Sequence, residues 1–514
     1  MKQNVTSFDV FDTLIARNVI NPTDIFDIIE HNFPYPNFKK YRILAEQKSG
    51  LTLDSIYKEF KNITNDSETN IDILKEYEIQ TEINNSFLIK SNVNLVNDGD
   101  ILISDMYLNS LQILRILNSL GFNKNVKIFS SSIGMSKHKG TLYNYLLNMY
   151  NITLHIGDNE YSDYFMAKKY NIPCQITNLH KFNNTELFFI NKQKYRKFGF
   201  LLRMFRLQNP YNENSKNFLL YNDQSNINIP LLVMLSFHLK QMLINENRST
   251  ILFYTRDSCL LQIVFQTLFP DISSKTFHSS RVMNYSNNEE YDKYILDTYN
   301  DSNCIIFDGH GTFNSGRKLY MRLFNSLPRI HIFSLGDINT LIFKNLSYNI
   351  KSGTLMFERY NVDTIGRLID LKDGNFIREE VKGYSLNNAE IYKYTIHSFC
   401  TFLQSQNICD LNIFNTMSPQ LIINYNNKIY NVSKSNIIDD ANIFFDSSIV
   451  GNIDNDKNIN QKNINQKNIN QKNINQKNIN QKNINQKTIN QKTINQKNIN
   501  QKTIYIKKLK MKFY

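Results

Sequence analysis

The strongest constraint on this 514-residue chain is an alternation near its start. Short apolar runs at 5–8, 101–103, 126–129 and 153–156 are separated by stretches with helical spacing of apolar residues, at about 18–94, 108–120, 141–149 and 162–170. Strands that return only after a helix must run parallel, so the spacing predicts an α/β fold with a doubly wound, Rossmann-like parallel sheet. In such sheets ligands bind beyond the carboxyl ends of the strands. The polar residues that stand out in this part of the chain all fall there.

Four segments have the chemistry of phosphoryl transfer. SFDVFDTL (7–14) places the carboxylate of Asp9 at the end of the opening strand, where it can attack phosphorus and share a metal ion. ILISDM (101–106) places the hydroxyl of Ser104 at the next strand end, suited to a phosphate oxygen. GMSKHKGTLY (134–143) offers Lys137, a point charge for the nucleophile and the transferring group. HIGDNEYSD (155–163) supplies Asp158 and Asp163, hard oxygen donors of the kind that suit Mg²⁺.

In this order and spacing the four segments resemble the motifs of the haloacid dehalogenase (HAD) superfamily, across about residues 1–180. The resemblance implies a Mg²⁺-dependent phosphatase or phosphotransferase acting on a small phosphorylated metabolite, with a sugar phosphate as the best guess. Asp9 would be the nucleophile, Ser104 and Lys137 the phosphate binders, and Asp9, Asp158 and Asp163 the metal-binding acids. A HAD-like domain is expected over 1–185, and the helical stretch at about 18–95 sits where the family inserts a C1-type cap. The sequence departs from the family at one point. With Thr13 aligned, the position two beyond the nucleophile, usually Asp, is Phe11, and an acid follows as Asp12, the candidate for acid/base work.

A second α/β unit is expected over 225–380, with strands near 251–254, 275–278, 304–307 and 329–333. Its strand ends carry Arg256 and Asp257, then Arg281, then Asp308, Gly309, Gly311 and Thr312, followed by a helix. A glycine loop leading into a helix lets backbone N–H groups meet an anion, and arginines add bidentate phosphate contacts. This arrangement resembles the second half of HAD-like proteins associated with polysaccharide biosynthesis, with Ser258 where those have Gly. Two other readings stay open: a glycosyl- or phosphoribosyl-type transferase centred on this unit, and a catalytically degenerate HAD-fold scaffold.

Residues 381–456 show mixed helical and irregular patterning. From Lys457 to Gln501 run nine near-identical Lys-(Asn/Thr)-Ile-Asn-Gln pentapeptides. One Ile in five residues cannot build a core, so 457–514 reads as a disordered tail, with Asn/Gln-rich character suited to weak self-association or anionic contacts. The tail holds fourteen of the lysines and no acid. The net charge of +13 therefore belongs to it, and the rest of the chain is close to neutral. Charge confined to a linear tail argues against a specific nucleic-acid partner.

Five dispersed cysteines without a CxxC pair argue against a disulfide framework or a zinc site. The apolar run at 229–244 is interrupted by His238, Lys240 and Gln241 and is expected to be too short to span a bilayer. No membrane insertion and a cytoplasmic location are the expectations.

Overall fold

In the computed structural model, residues 1–438 form one compact unit. The structure describes residues 2–33, 35–49, 51–311, 313–335, 346–351, 356–381, 384–406, 408–430 and 432. Thr312 and the repeat tail lie outside the described residues.

The first half contributes strands β1 (Gln3–Phe8), β2 (Ile15–Arg17), β3 (Ser86–Leu88), β4 (Ile101–Ser104), β5 (Lys127–Ser130), β6 (Tyr150–Gly157) and β7 (Cys174–Ile176). Five of them form a parallel sheet in the order β5-β4-β1-β6-β7, and β2 and β3 pair as an antiparallel ribbon. The order reverses between β1 and β6, which is the topological switch point. β4 is buried along its whole length and β6 is mostly so, as expected of a strand covered by helices on both faces.

Between β2 and β3 lie the helices Asp24–Asn32, Phe38–Ser49, Leu53–Thr64 and Glu68–Asn84. The third shows why they form. Leu53, Ile56, Tyr57 and Phe60 recur at i, i+3, i+4 and i+7 and are all buried, and Thr52 and Ser55 close a reciprocal capping box. The last helix stops at Asn84, although helical spacing of apolar residues continues to Leu88, because residues 86–88 pair with β2 and close the base of the insertion.

The second half contributes β8 (Thr250–Tyr254), β9 (Ser273–Phe277), β10 (Cys304–Gly311), β11 (Ile330–Leu335) and β12 (Leu346–Lys351), in a parallel sheet ordered β12-β11-β10-β8-β9. A ribbon of β13 (Leu368–Lys372) and β14 (Asn375–Arg378) follows. Here the switch point lies between β8 and β10. The helix Tyr384–Gln404 packs Tyr392, Ile396, Phe399 and Leu403 into the same core as the buried helix Ile229–Asn245.

That buried helix corrects the expectation from length. It continues a helical run from Lys216 to Asn245, 30 residues that by length and composition are enough to cross a membrane; 78% of its most apolar window is buried inside this fold.

Helix Arg196–Arg206 joins the halves. Arg203 donates to the carbonyls of Arg17 and His180, and the amide of Lys90 donates to the carbonyl of Leu207 at 2.9 Å. Cys174, Cys259, Cys304 and Cys400 are free thiols.

Candidate functional site

The end of β1 and the end of β6 meet at the first switch point. Asp9 follows β1, and its amide donates to the carbonyl of Ile156 in β6 at 2.8 Å, which turns its side chain into the crevice. Asp158 follows β6 directly, and Asp163 lies one helical turn further on. One oxygen from each of the three carboxylates lies within 4.8 Å of the others.

Lys137 reaches this cluster from the loop before helix Thr141–Met149. Its ammonium donates to Asp9 Oδ1 at 2.5 Å and to Asp163 Oδ1 at 2.6 Å, and the residue is 2% exposed. A buried lysine is tolerable only when fully paired, and the two carboxylates raise its pKa despite burial. Its loop is set by Asp105, whose carboxylate accepts the amides of Lys137 at 2.7 Å and His138 at 2.9 Å. Ser104, the last residue of β4, is buried and lines the same crevice.

Asp163 has both oxygens engaged. Oδ1 also meets His155 Nε2 at 3.1 Å, and Oδ2 accepts the amide of Asn159 at 3.0 Å. His155 is in turn held by Ser7 Oγ, 2.8 Å from its Nδ1. Gly157 is required by this packing, since a Cβ there would lie 2.3 Å from Asp163 Cγ. Burial would raise Asp163, but Lys137 and His155 hold it well below the usual carboxylate range.

Asp9 and Asp158 move the other way. Burial, together with the charges of Asp163 and Asp158, lifts Asp9 well above its ordinary value in spite of Lys137. Burial and the charges of Asp163 and Asp12 lift Asp158 to about 6. Its nearest partners are distant: Thr13 Oγ1 at 3.5 Å and His180 Nε2 at 3.9 Å. Three converging carboxylates face one ammonium, and Asp158 is the least satisfied of them.

Phe11 is buried, with the Arg17 guanidinium 4.3 Å above its ring. Arg17 is fixed by two bonds to Glu82, at 2.9 and 3.3 Å. Asp12 adopts a left-handed backbone (φ 62°), which Asp tolerates, and lines the crevice beside Asp9. The crevice has a volume of about 300 Å³, walled on one side by strand ends and on the other by Arg17 of β2 and by Phe26, Glu46 and Glu82 of the helical insertion.

Every expected residue of the first half therefore converges: Asp9, Asp12, Ser104, Lys137, Asp158 and Asp163 all line one crevice. Sequence reading missed the groups that orient them, namely Ser7, Asp105 and His155, together with the Arg17–Glu82 wall. Asp105 had a signal, since it directly follows Ser104 at a strand end. The others sit at positions where a sequence reads only a strand interior or a solvated charge.

In the second half, Arg256 and Asp257 follow β8, Asp308, Gly309 and Gly311 close β10, and Arg281 opens helix Arg281–Tyr285. They gather at the second switch point, apart from the carboxylate cluster around Asp9. No protein-family model matches this chain, and no curated protein matches it.

Proposed function

We propose that the first α/β half is a HAD-type phosphatase or phosphotransferase domain that works through a phosphorylated Asp9 on a small phosphorylated metabolite. The observation carrying this reading is the convergence of Asp9, Lys137, Asp158 and Asp163 at a single switch point. The helices between β2 and β3 act as the cap that closes the crevice and shapes it for one substrate.

The donor set fits a hard divalent cation such as Mg²⁺, because three carboxylates share one ammonium and Asp158 has only long contacts. Asp9 and Asp158 would hold it, with Asp163 behind them, and it would neutralise the charge that a phosphate brings.

Lys137 binds Asp9 Oδ1, so Oδ2 is the atom free to attack phosphorus. As the Asp9–phosphorus bond forms, the bond from phosphorus to the leaving alkoxide breaks, and Asp12 delivers the proton that the alkoxide takes up. Lys137 and Ser104 hold the phosphoryl oxygens during transfer. Water then attacks phosphorus, Asp12 accepts its proton, and Asp9 is regenerated with release of inorganic phosphate. Asp163 and His155 are positioning residues that keep Lys137 aimed at Asp9.

Phe11 supports one second reading, in which the domain binds phosphorylated ligands with little turnover, since the usual acid is replaced by an apolar ring. The deciding experiment measures Mg²⁺-dependent phosphate release from a panel of sugar and nucleoside phosphates, comparing wild type with Asp9→Asn. Release that disappears in the variant and in EDTA supports the transfer reading. No release from folded protein with Mg²⁺ present rejects it in favour of binding.

A further inference from the structure

We propose that the crevice at the carboxyl ends of β8 and β10 is a second, separate binding site, and that it takes a small molecule carrying both a phosphate and hydroxyl groups, of the sugar-phosphate or nucleotide class. This proposal is independent of the reading given for Asp9.

The site begins with topology. β8 and β10 are neighbours in register, Phe253 opposite Phe307, and the chain turns away in opposite directions from them, to β9 on one side and β11 on the other. The crevice this leaves is where ligands of open α/β sheets bind. Its floor is the 308–311 backbone. A Cβ on Gly309 would lie 2.6 Å from Asp257 Oδ2 and 2.3 Å from the Phe357 ring, so that backbone passes directly beneath the Asp257 carboxylate. Gly311 has a φ of +150°, and Asp308 Oδ2 lies 3.7 Å from where its Cβ would be. Only glycine at 309 lets the chain run this close to the Asp257 carboxylate, and the backbone angle at Gly311 is one that other residues rarely adopt.

Two arginines border the same place. Arg256 precedes Asp257, and Arg281 opens the helix after β9; the charges of both act on Glu358 of helix Met356–Tyr360. Arg322, Arg329 and Arg378 each hold a carboxylate, a carbonyl or an imidazole. Among the described residues neither the Arg256 nor the Arg281 guanidinium makes a hydrogen bond or a salt bridge, although acids lie nearby. Beside them the hydroxyl of Ser258, fully buried, has no hydrogen-bond partner.

Guanidinium groups and carboxylates that share a crevice without pairing suit a ligand that offers each its complement. A phosphate satisfies the arginines through forked N–H donors. Sugar hydroxyls donate to the carboxylates of Asp257 and Asp308. A bare divalent cation would meet two unneutralised arginines, and an apolar ligand would leave both guanidinium groups without a partner. Burial and the charge of Glu358 lift Asp308 to about 7, in keeping with an acid that lacks a cationic partner.

The test uses the full chain carrying Asp9→Asn, which prevents turnover at the first site. Titration calorimetry is run with ribose 5-phosphate, glucose 1-phosphate and UDP, then with ribose, glucose and inorganic phosphate. We expect at least one of the first three to bind, its dephosphorylated counterpart and inorganic phosphate to bind at least tenfold more weakly, and Arg281→Ala to weaken binding by about tenfold or more. Arg281 is an exposed side chain, so its removal leaves the fold intact. Asp308→Asn should weaken the hydroxylated ligands and leave inorganic phosphate unchanged. Binding that survives Arg281→Ala and Asp308→Asn but vanishes in Lys137→Ala would place the ligand at the first site and overturn the proposal. So would a folded chain that binds none of the probes, or one that binds Mg²⁺ alone through Asp257 and Asp308.

Discussion

The hydroxyl of Tyr107 donates to Glu78 Oε1 at 3.0 Å, tying the loop behind Ser104 to the longest helix of the insertion. Glu78 is almost fully buried and also receives Arg42 through two bonds, at 2.7 and 2.8 Å, and the hydroxyl of Tyr57 at 2.9 Å. Site loop and insertion are therefore held by one buried acid.

Glu78→Ala removes the partner of a fully buried Arg42. Breaking such a pair costs about 3–5 kcal/mol, far more than an exposed ion pair. Urea denaturation should show that loss, and Tyr107→Phe a loss of about 1 kcal/mol. A Glu78→Ala effect under about 1 kcal/mol would mean that Glu46, 2.9 Å from Arg42, takes over the charge.

Asp9→Asn should abolish phosphate release while leaving stability nearly unchanged or improved. The carboxylate is buried among Asp158 and Asp163, and its charge is disfavoured there. Lys137 keeps Asp163 as a partner. An unfolding free energy that fell by more than about 2 kcal/mol would show that Asp9 holds the fold together, against the usual opposition of function and stability at such sites.

Asp12→Asn should lower kcat by about a hundredfold with little change in KM, the size expected for lost acid/base catalysis. Phe11→Asp, which places an acid at the family's usual position, should restore part of the rate in that background. Equal rates for wild type and Asp12→Asn would assign the proton to the substrate or to water.

Gly157→Ala places a methyl 2.3 Å from Asp163 Cγ, and Asp163 must give way. The expected cost is about 1–3 kcal/mol. Phosphate release should fall as well, because Asp163 also aims Lys137. A stable, fully active variant would show that the aim of Lys137 does not depend on Asp163.

Acid should destabilise the second half through His238, which packs 5.3 Å from the ring of the buried His331. Burial lowers His238 to about 4 from an ordinary 6.5. Folded protein stays neutral at this residue while unfolded chain takes up a proton, so stability is lost as pH falls from about 6.5 to about 4 and is level below that. Between pH 7 and 5 the loss from this residue is about 2 kcal/mol. His238→Gln should remove that part of the pH dependence in urea titrations, and an unaltered profile would assign the acid sensitivity elsewhere.

The parallel α/β architecture and the six convergent residues of the first crevice were legible because long-range order and local chemistry agree there. Apolar strands end in polar residues, and the switch point brings those ends together. The β2–β3 ribbon was not legible: each strand is three residues, and residues 86–88 continue a helical spacing until pairing with Ile15–Arg17 overrides it. β7, also three residues long, gives no periodicity to read. Arg42, Glu78 and Glu82 stand among residues with helical spacing, where charges are ordinarily solvated, and Arg17 just before them, yet all four are buried in pairs whose members lie far apart in the chain. Burial of charge is a tertiary event, and spacing carries no trace of it.

The two sheets have different orders, β5-β4-β1-β6-β7 and β12-β11-β10-β8-β9. A segment copied in tandem would keep its order, and turning one arrangement into the other requires its third strand to change sides of the first. The halves are thus not copies of one another laid end to end. Asp257 follows the first strand of its sheet as Asp9 follows β1, yet Asp9 faces across to the fourth strand of its set and Asp257 to the third. Ancestry within the chain offers no shortcut for assigning roles, and each crevice has to be tested in its own right.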